Sequence, residues 1–131
     1  MRKLLIAVII AFILLSCDTE LMNTEIEINS LIGTWEYSGS DYIERFSFTD
    51  NEYTSYYKNL LFNQPETLGS GKYQKTNSIV VFNGESSFID TENNNHTTTY
   101  TASADYIIDN NNLTLIFKHT GNIITYVRKT N

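Results

Sequence analysis

The chain has little cysteine and histidine. Cys17 is the single cysteine among 131 residues, so no disulfide can form within the chain and its core alone must stabilise the fold. A structural zinc site needs three or four converging ligands, which one cysteine and two scattered histidines, His96 and His119, do not supply. The sequence therefore predicts neither a disulfide-stabilised fold nor a metal site.

Basic residues are also scarce. Nine Lys and Arg stand against 15 Asp and Glu, which gives a net charge of −6 at pH 7. Binding to nucleic acid or to anionic lipid headgroups requires clustered Lys and Arg, so neither is an expected partner. The acidity is explained by solubility.

Recognisable catalytic groups are missing as well. His96 lies in an Asn-rich segment and His119 at a predicted turn, and we expect both to be solvated. No serine is framed by the Gly-x-Ser-x-Gly motif of a hydrolase. We therefore expect no enzyme, no catalytic residue and no cofactor.

Long apolar runs are absent after the first residues of the chain. Residues 4–15 form an unbroken apolar run of twelve, preceded by Arg2 and Lys3 and followed by Ser16 and Cys17. A basic start, a short apolar run and a small residue before a cleavage site are typical of a secretory signal peptide. A membrane-spanning helix needs about 20 apolar residues, so a retained transmembrane anchor is the weaker interpretation.

Leu14-Leu15-Ser16-Cys17 resembles the lipobox of bacterial lipoproteins. The resemblance implies that residues 1–16 are removed as a signal peptide and that Cys17 carries a diacylglyceryl thioether and an N-acyl chain, palmitate being a typical acyl group. Several acyl chains anchor a protein stably, so the membrane is an expected partner and the location is the cell envelope, at the outer membrane or cell surface. The alternative is an unmodified Cys17 in an uncleaved leader, a free thiol that is unusual in an exported protein.

Cleavage would leave 115 of the 131 residues, with seven basic against 15 acidic side chains and a net charge of −8. That length suits one domain. Residues 17–29 are polar and are interpreted as a tether, with a short edge strand at residues 25–28 as the alternative. Residues 30–131 then form the domain.

The domain has the composition and periodicity of strands. Nine Tyr and seven Phe in the whole chain favour strands over helices. Apolar residues alternate with polar ones from Tyr100 to Ile108 and from Leu113 to Phe117. About eight strands with short turns fit, the Asn clusters at 93–95 and 110–112 marking two turns. Residues 59–69 are expected to be a long connection, and residues 85–95 a polar loop with a possible short strand at 87–89.

These features predict an all-β fold, an antiparallel up-and-down barrel of about eight strands. Closing the sheet removes its exposed edges, and eight strands can enclose one small ligand. A two-sheet sandwich is the alternative.

The Ile32-Gly33-Thr34-Trp35 segment resembles the Gly-x-Trp motif at the start of lipocalins and of lipocalin-like domains in bacterial lipoproteins. Arg128, in Tyr126-Val127-Arg128, matches the late arginine of that family. The resemblance implies that Trp35 plugs the closed end of the barrel and that the Arg128 guanidinium lies within about 6 Å of the indole centre. The chain is shorter than a full lipocalin and lacks the helix after the barrel, which would suit a shallow or filled interior.

Candidate ligand contacts lie on one face of a predicted strand: Tyr100, Ala102, Ala104 and Tyr106. Small side chains facing inward leave space, and tyrosines offer apolar rings with polar tips. The alternative is that large neighbours such as Phe82 and Phe117 fill this space. Glu44 shares the parity of Phe46 and could face inward at the barrel mouth, but an exposed Glu44, with the strand beginning at residue 45, is the favoured expectation.

Two functions remain open on this sequence. The first is a lipid-anchored lipocalin-like protein that binds a small hydrophobic ligand. The second is a protein-interaction module, of inhibitor or adhesin type, whose barrel is filled and takes no small molecule; the sequence names no protein partner.

Overall fold

A computed structural model of the protein describes residues 30–130, which form eight consecutive antiparallel strands. The bounds are β1 Gly33–Ser38, β2 Tyr42–Phe48, β3 Glu52–Asn59, β4 Thr67–Lys75, β5 Ile79–Ile89, β6 Asn95–Asp109, β7 Asn112–Phe117 and β8 Ile123–Lys129. Each strand pairs with the next, and β8 pairs with β1 to close the barrel. The predicted up-and-down barrel of eight strands is confirmed. The expectations for residues 1–16, Cys17 and residues 17–29 lie outside the described residues.

Every pairing in the barrel keeps one set of side chains on the inner face. Trp35 lies opposite Phe46 on one side and opposite Arg128 on the other. Residues directly opposite in an antiparallel pair share a face, and successive residues alternate faces. The period-two pattern of the sequence is therefore the alternation between the barrel interior and its outer wall.

The interior is packed mainly with aromatic rings. Phe82 is central: its ring centroid lies 5.1 Å from that of Tyr53, 5.8 Å from Phe46 and 6.0 Å from Phe48. Offset and edge-on ring contacts of this kind add stability beyond the area they bury. The fully or nearly fully buried hydrophobic residues are Leu31, Trp35, Phe46, Phe48, Tyr53, Tyr73, Val80, Phe82, Ala104, Leu113, Leu115 and Tyr126.

Trp35 and Arg128 close one end of the barrel. The Trp35 side chain is fully buried, and its indole N–H donates to the carbonyl oxygen of Leu31 at 2.8 Å. The Arg128 guanidinium carbon lies 4.1 Å from the indole centroid, and Nη1 donates to the Ile32 carbonyl at 2.9 Å. The predicted contact between Trp35 and Arg128 is confirmed, and we call this end of the barrel the closed end.

Gly33 is needed at the closed end for two reasons. Its φ of +127° lies in a region that side chains with a Cβ rarely adopt. A Cβ at this position would also lie 2.9 Å from Nη1 of Arg128. The glycine therefore lets the chain enter β1 directly beneath the guanidinium.

Two glycines facing each other make room for a tyrosine pair inside the barrel. Gly71 on β4 lies opposite Gly84 on β5, and these residues in turn lie opposite Tyr53 and Tyr100. The hydroxyl of Tyr53 donates to that of Tyr100 at 2.6 Å. A Cβ on Gly84 would come within 2.4 Å of the Tyr53 hydroxyl, so the missing side chains are what allows the two rings to meet.

Three sequence expectations about strand bounds are wrong. The connection expected over residues 59–69 is only residues 60–66, because β4 begins at Thr67. The loop expected over residues 85–95 is only 90–94, because β5 and β6 form a long hairpin in which Ser87 pairs with Thr97. Finally, β2 begins at Tyr42 rather than at residue 45. These strand ends do not alternate between apolar and polar residues, so the sequence pattern did not mark them; backbone pairing with the neighbouring strands extends them.

The expected turns at the two Asn clusters are confirmed. Asn93 and Asn110 both have positive φ, 67° and 54°, a conformation that Asn tolerates better than most residues. No helix is present among residues 30–130. Within that range no helix is therefore long and apolar enough to cross a membrane.

Candidate functional site

A group of tyrosines surrounds one carboxylate at the end of the barrel opposite Trp35. Glu44 on β2 lies opposite Tyr37 on β1 and opposite Tyr57 on β3. Tyr42 lies two residues before Glu44 and therefore on the same face, one step nearer the end of the strand. Tyr126 on β8 lies below them. We call these five residues the mouth cluster.

Among the three outer tyrosines of the mouth cluster, the ring of Tyr42 packs between those of Tyr37 and Tyr57. The ring centroids of Tyr37 and Tyr42 are 4.8 Å apart, and those of Tyr42 and Tyr57 are 5.5 Å apart. All three side chains are partly exposed. The mouth therefore presents partly exposed tyrosine side chains, in contrast to the buried interior around Phe82.

Glu44 is held in place by a hydrogen bond from below. The hydroxyl of Tyr126 donates to Oε2 of Glu44 at 2.8 Å, and the Tyr126 side chain is fully buried. Burial raises the pKa of Glu44 above its ordinary value, and the Tyr126 hydrogen bond offsets part of that rise. The pKa of Tyr126 is raised in turn, by burial and then by the Glu44 charge, so it stays a hydroxyl donor.

No Lys, Arg or His of residues 30–130 forms an ion pair with Glu44. The nearest strand cation in sequence, Arg45, faces the outer wall, where its Nε donates to Glu36 at 2.9 Å. Glu44 is thus a partly buried carboxylate whose only described polar partner is a neutral hydroxyl.

The favoured expectation that Glu44 is exposed is wrong. Because β2 begins at Tyr42 and pairs on both sides, the parity shared by Tyr42, Glu44 and Phe46 extends to the barrel mouth. The same parity was visible in the sequence. What the sequence did not supply was the start of the strand.

The four predicted ligand contacts do share the inner face of β6, but they are spread along the barrel. Tyr100 bonds Tyr53 in the upper interior, whereas the hydroxyl of Tyr106 donates to the Thr76 carbonyl at 2.8 Å, toward the closed end. Ala102 lies opposite Phe82, and Ala104 is fully buried between Val80 and Phe117. The structure does not gather them around one space, and ligand contact by these residues stays a prediction.

His96 has a carboxylate partner that the sequence reasoning missed. It lies in β6 rather than in a loop, and its Nε2 is 2.8 Å from Oδ2 of Asp90, while its ring stacks on Phe88 at 4.9 Å. The backbone N–H groups of Glu92 and Asn94 also donate to Asp90. The His96 hydrogen bond, followed by that from the Asn94 backbone, lowers the pKa of Asp90 to about 2. This arrangement caps the β5–β6 hairpin.

His119 is exposed in the turn between β7 and β8, as expected. Over the described part of the chain, no three His, Cys, Asp or Glu side chains converge as metal ligands would.

Comparison of the chain with protein-family models, with curated proteins and with solved structures finds no match. The class of fold is nevertheless defined by the strands themselves: a closed eight-stranded antiparallel barrel, compatible with a lipocalin-like fold. Its closed end is plugged by Trp35, and its other end carries the mouth cluster.

Proposed function

We propose that the protein is a lipid-anchored lipoprotein of the bacterial cell envelope whose lipocalin-like barrel binds a small hydrophobic ligand at its mouth. The observation that carries the proposal is the mouth cluster, three partly exposed tyrosines around a partly buried carboxylate. Catalysis and cofactors form no part of it.

The packing of the interior supports a ligand at the mouth rather than deep in the barrel. Phe82 occupies the space opposite Ala102, and Phe46, Phe48 and Tyr53 surround it. A ligand would therefore lie above these rings, against Tyr37, Tyr42 and Tyr57. Small-molecule sites commonly combine apolar or aromatic walls with a few fixed polar groups, and the tyrosines with Glu44 offer that combination.

The anchoring part of the proposal rests on the resemblance of Leu14-Leu15-Ser16-Cys17 to a lipobox. Lipidation of Cys17 would hold the domain at a membrane, with residues 17–29 as the connection. A ligand-binding domain held in this way would take up or retain its ligand within the envelope.

Native mass spectrometry of the full chain, purified from its own cells in a non-ionic detergent, tests the binding function. We expect a small molecule to accompany the wild-type protein. Tyr57→Ala should lose it, since the ring is part of the mouth cluster. Tyr56→Ala is the matched control because Tyr56 is the adjacent residue on the outer wall, under Arg45, and it should retain the molecule. Absence of any bound molecule in the wild type would contradict the proposal.

A second candidate, a protein-interaction module, is favoured by exposed apolar side chains. Leu61 and Phe62, in the connection between β3 and β4, are 61% and 63% exposed. An open groove of about 560 Å³ beside Leu68, Phe88 and Ile89 adds further apolar surface. Exposed apolar patches often mark protein contacts. For this candidate, Leu61→Ser with Phe62→Ser should abolish binding of a protein partner that Tyr57→Ala retains.

A further inference from the structure

Glu44 is a partly buried carboxylate, and no Lys, Arg or His among residues 30–130 forms an ion pair with it. Tyr126 occupies one oxygen, Oε2, and no donor among residues 30–130 reaches the other oxygen. A partly buried carboxylate without a cationic partner is unfavourable unless a partner arrives. Elsewhere inside the barrel, Tyr53 and Tyr100 form a neutral polar pair whose hydroxyls satisfy each other. A neutral polar side chain could therefore satisfy a position inside this barrel, and packing alone does not explain the charged side chain of Glu44.

The aromatic rings around the Glu44 carboxylate also favour a cationic partner. Tyr37, Tyr42 and Tyr57 come from three adjacent strands. The ring planes of Tyr37 and Tyr42 differ by 30°, and those of Tyr42 and Tyr57 by 31°. Tyr37 and Tyr57 lie directly opposite Glu44, Tyr42 lies one step nearer the strand end, and all three are partly exposed. Aromatic faces attract cations that are weakly hydrated, and quaternary or substituted ammonium groups are the typical ligands of such arrangements.

We propose that the mouth cluster binds an organic cation, the ammonium group of a small amphiphilic molecule, with Glu44 as its counter-ion and the faces of Tyr37, Tyr42 and Tyr57 against its apolar substituents. This inference rests on the proposed binding function and specifies its ligand class. Anions are excluded by the carboxylate. Compact inorganic cations are disfavoured because they require several oxygen ligands, whereas the mouth offers one carboxylate and the neutral hydroxyls of tyrosines.

The protonation of Glu44 supplies an independent readout. The titratable groups around its carboxyl are phenols: Tyr126 donates to it, Tyr37 and Tyr57 lie opposite it, and Tyr42 is its neighbour on the same face. Asp41 is a further negative charge at the mouth and acts on Tyr42. Burial raises the pKa of Glu44. A quaternary ammonium does not titrate, so its binding should weaken as pH falls through the Glu44 pKa, toward the level expected of an uncharged molecule of the same shape.

The test is calorimetric titration of the full chain in non-ionic detergent at pH 7 with phenyltrimethylammonium, with its neutral isostere tert-butylbenzene and with benzenesulfonate. We expect the ammonium to bind about tenfold or more tightly than the isostere, and the sulfonate not to bind. Glu44→Gln keeps an oxygen acceptor for Tyr126 but removes the charge, and it should abolish the preference. Glu85→Gln removes an exposed outer-wall charge and should leave the preference intact. Circular dichroism checks that both variants fold.

Three outcomes would overturn the inference. If tert-butylbenzene binds as tightly as the ammonium and Glu44→Gln changes neither, the mouth binds apolar molecules and only the cation assignment fails, while the proposed binding function stands. If Glu85→Gln weakens ammonium binding as much as Glu44→Gln does, the attraction belongs to the acidic surface as a whole. Binding of neither probe, together with a native mass spectrum free of small molecules, would remove the proposed function as well.

Discussion

Arg128 stacks on Trp35 with its guanidinium carbon 4.1 Å from the indole centroid, and the two residues lie directly opposite each other where β8 meets β1. The contact therefore joins the first and last strands at the seam that closes the barrel. A planar cation over an indole is a favourable electrostatic pair, and Arg128 also donates to the backbone just before β1. The closed end depends on both residues.

Trp35→Ala should destabilise the barrel strongly. Removing a fully buried large aromatic side chain costs about 3–5 kcal/mol, and no disulfide can compensate in a chain with one cysteine. Arg128→Lys should cost less, yet more than a surface substitution, because an ammonium does not stack as a guanidinium does. Urea unfolding followed by far-ultraviolet circular dichroism measures both. An unchanged midpoint for Trp35→Ala would show that the plug is dispensable.

Gly33→Ala should be more harmful than Gly121→Ala. Both glycines have positive φ, +127° and +73°, but a Cβ at Gly33 meets Arg128 at 2.9 Å, whereas nothing lies within 4 Å of one at Gly121. The φ penalty alone is about 1–2 kcal/mol, and Gly33→Ala adds the displacement of the guanidinium. The free energies of unfolding of the two variants give the comparison. An equal decrease in the free energy of unfolding for both variants would mean that the Arg128 guanidinium can move away from a Cβ at residue 33 without destabilising the fold.

The fold could be predicted from the sequence because its strongest signals are period-two ones. Tyr100 to Ile108 and Leu113 to Phe117 alternate except at Ile107 and Ile116, and both lie in paired strands of the barrel. The contact between Trp35 and Arg128 was implied by the resemblance of the Gly-x-Trp segment and the late arginine to lipocalins, and it requires the first strand to pair with the last, as β1 and β8 do.

The mouth cluster could not be predicted as readily. Its position depends on where β2 begins, and Tyr42 and Ile43 carry no apolar period by themselves. The hairpin of β5 and β6 was underestimated for a related reason, since Ser, Thr and Gly dominate both strands beyond Phe82. Hydrogen bonding to the neighbouring strands determines where β2 begins and how far β5 and β6 extend. The sequence of one strand alone does not show that pairing.

Glu44→Gln should change how stability depends on pH. Burial raises the folded-state pKa of Glu44 above its unfolded value, so the folded protein takes up the proton more readily. The free energy of unfolding of the wild type should rise relative to that of Glu44→Gln as pH falls from 7 toward 4.5. Urea unfolding at several pH values tests this. Asp90 and Glu36, whose pKa values are lowered, stabilise the fold less at lower pH. Because this happens equally in both proteins, it cancels in the difference between their free energies of unfolding. A constant difference between the two proteins would contradict the pKa shift.

Cys17→Ser tests the anchor separately from the barrel. We expect the variant to lack acyl label and either to leave the membrane fraction or to accumulate as an uncleaved precursor, because the thioether and the cleavage both depend on that cysteine. Metabolic labelling with a palmitate analogue, followed by fractionation, measures this. Ser16→Ala is the control, since it retains a small residue before the cleavage site and should be processed normally. Full acylation of Cys17→Ser would refute the lipoprotein assignment.

The most direct test of a ligand at the barrel mouth is the NMR spectrum of the protein with ¹³C-labelled tyrosine rings, recorded as purified and again after ligand extraction. The account predicts that the ring signals of Tyr37, Tyr42 and Tyr57 shift on extraction, while that of Tyr73, toward the closed end, does not. A shift confined to Tyr73, or no shift although a molecule was released, would contradict a binding site at the mouth.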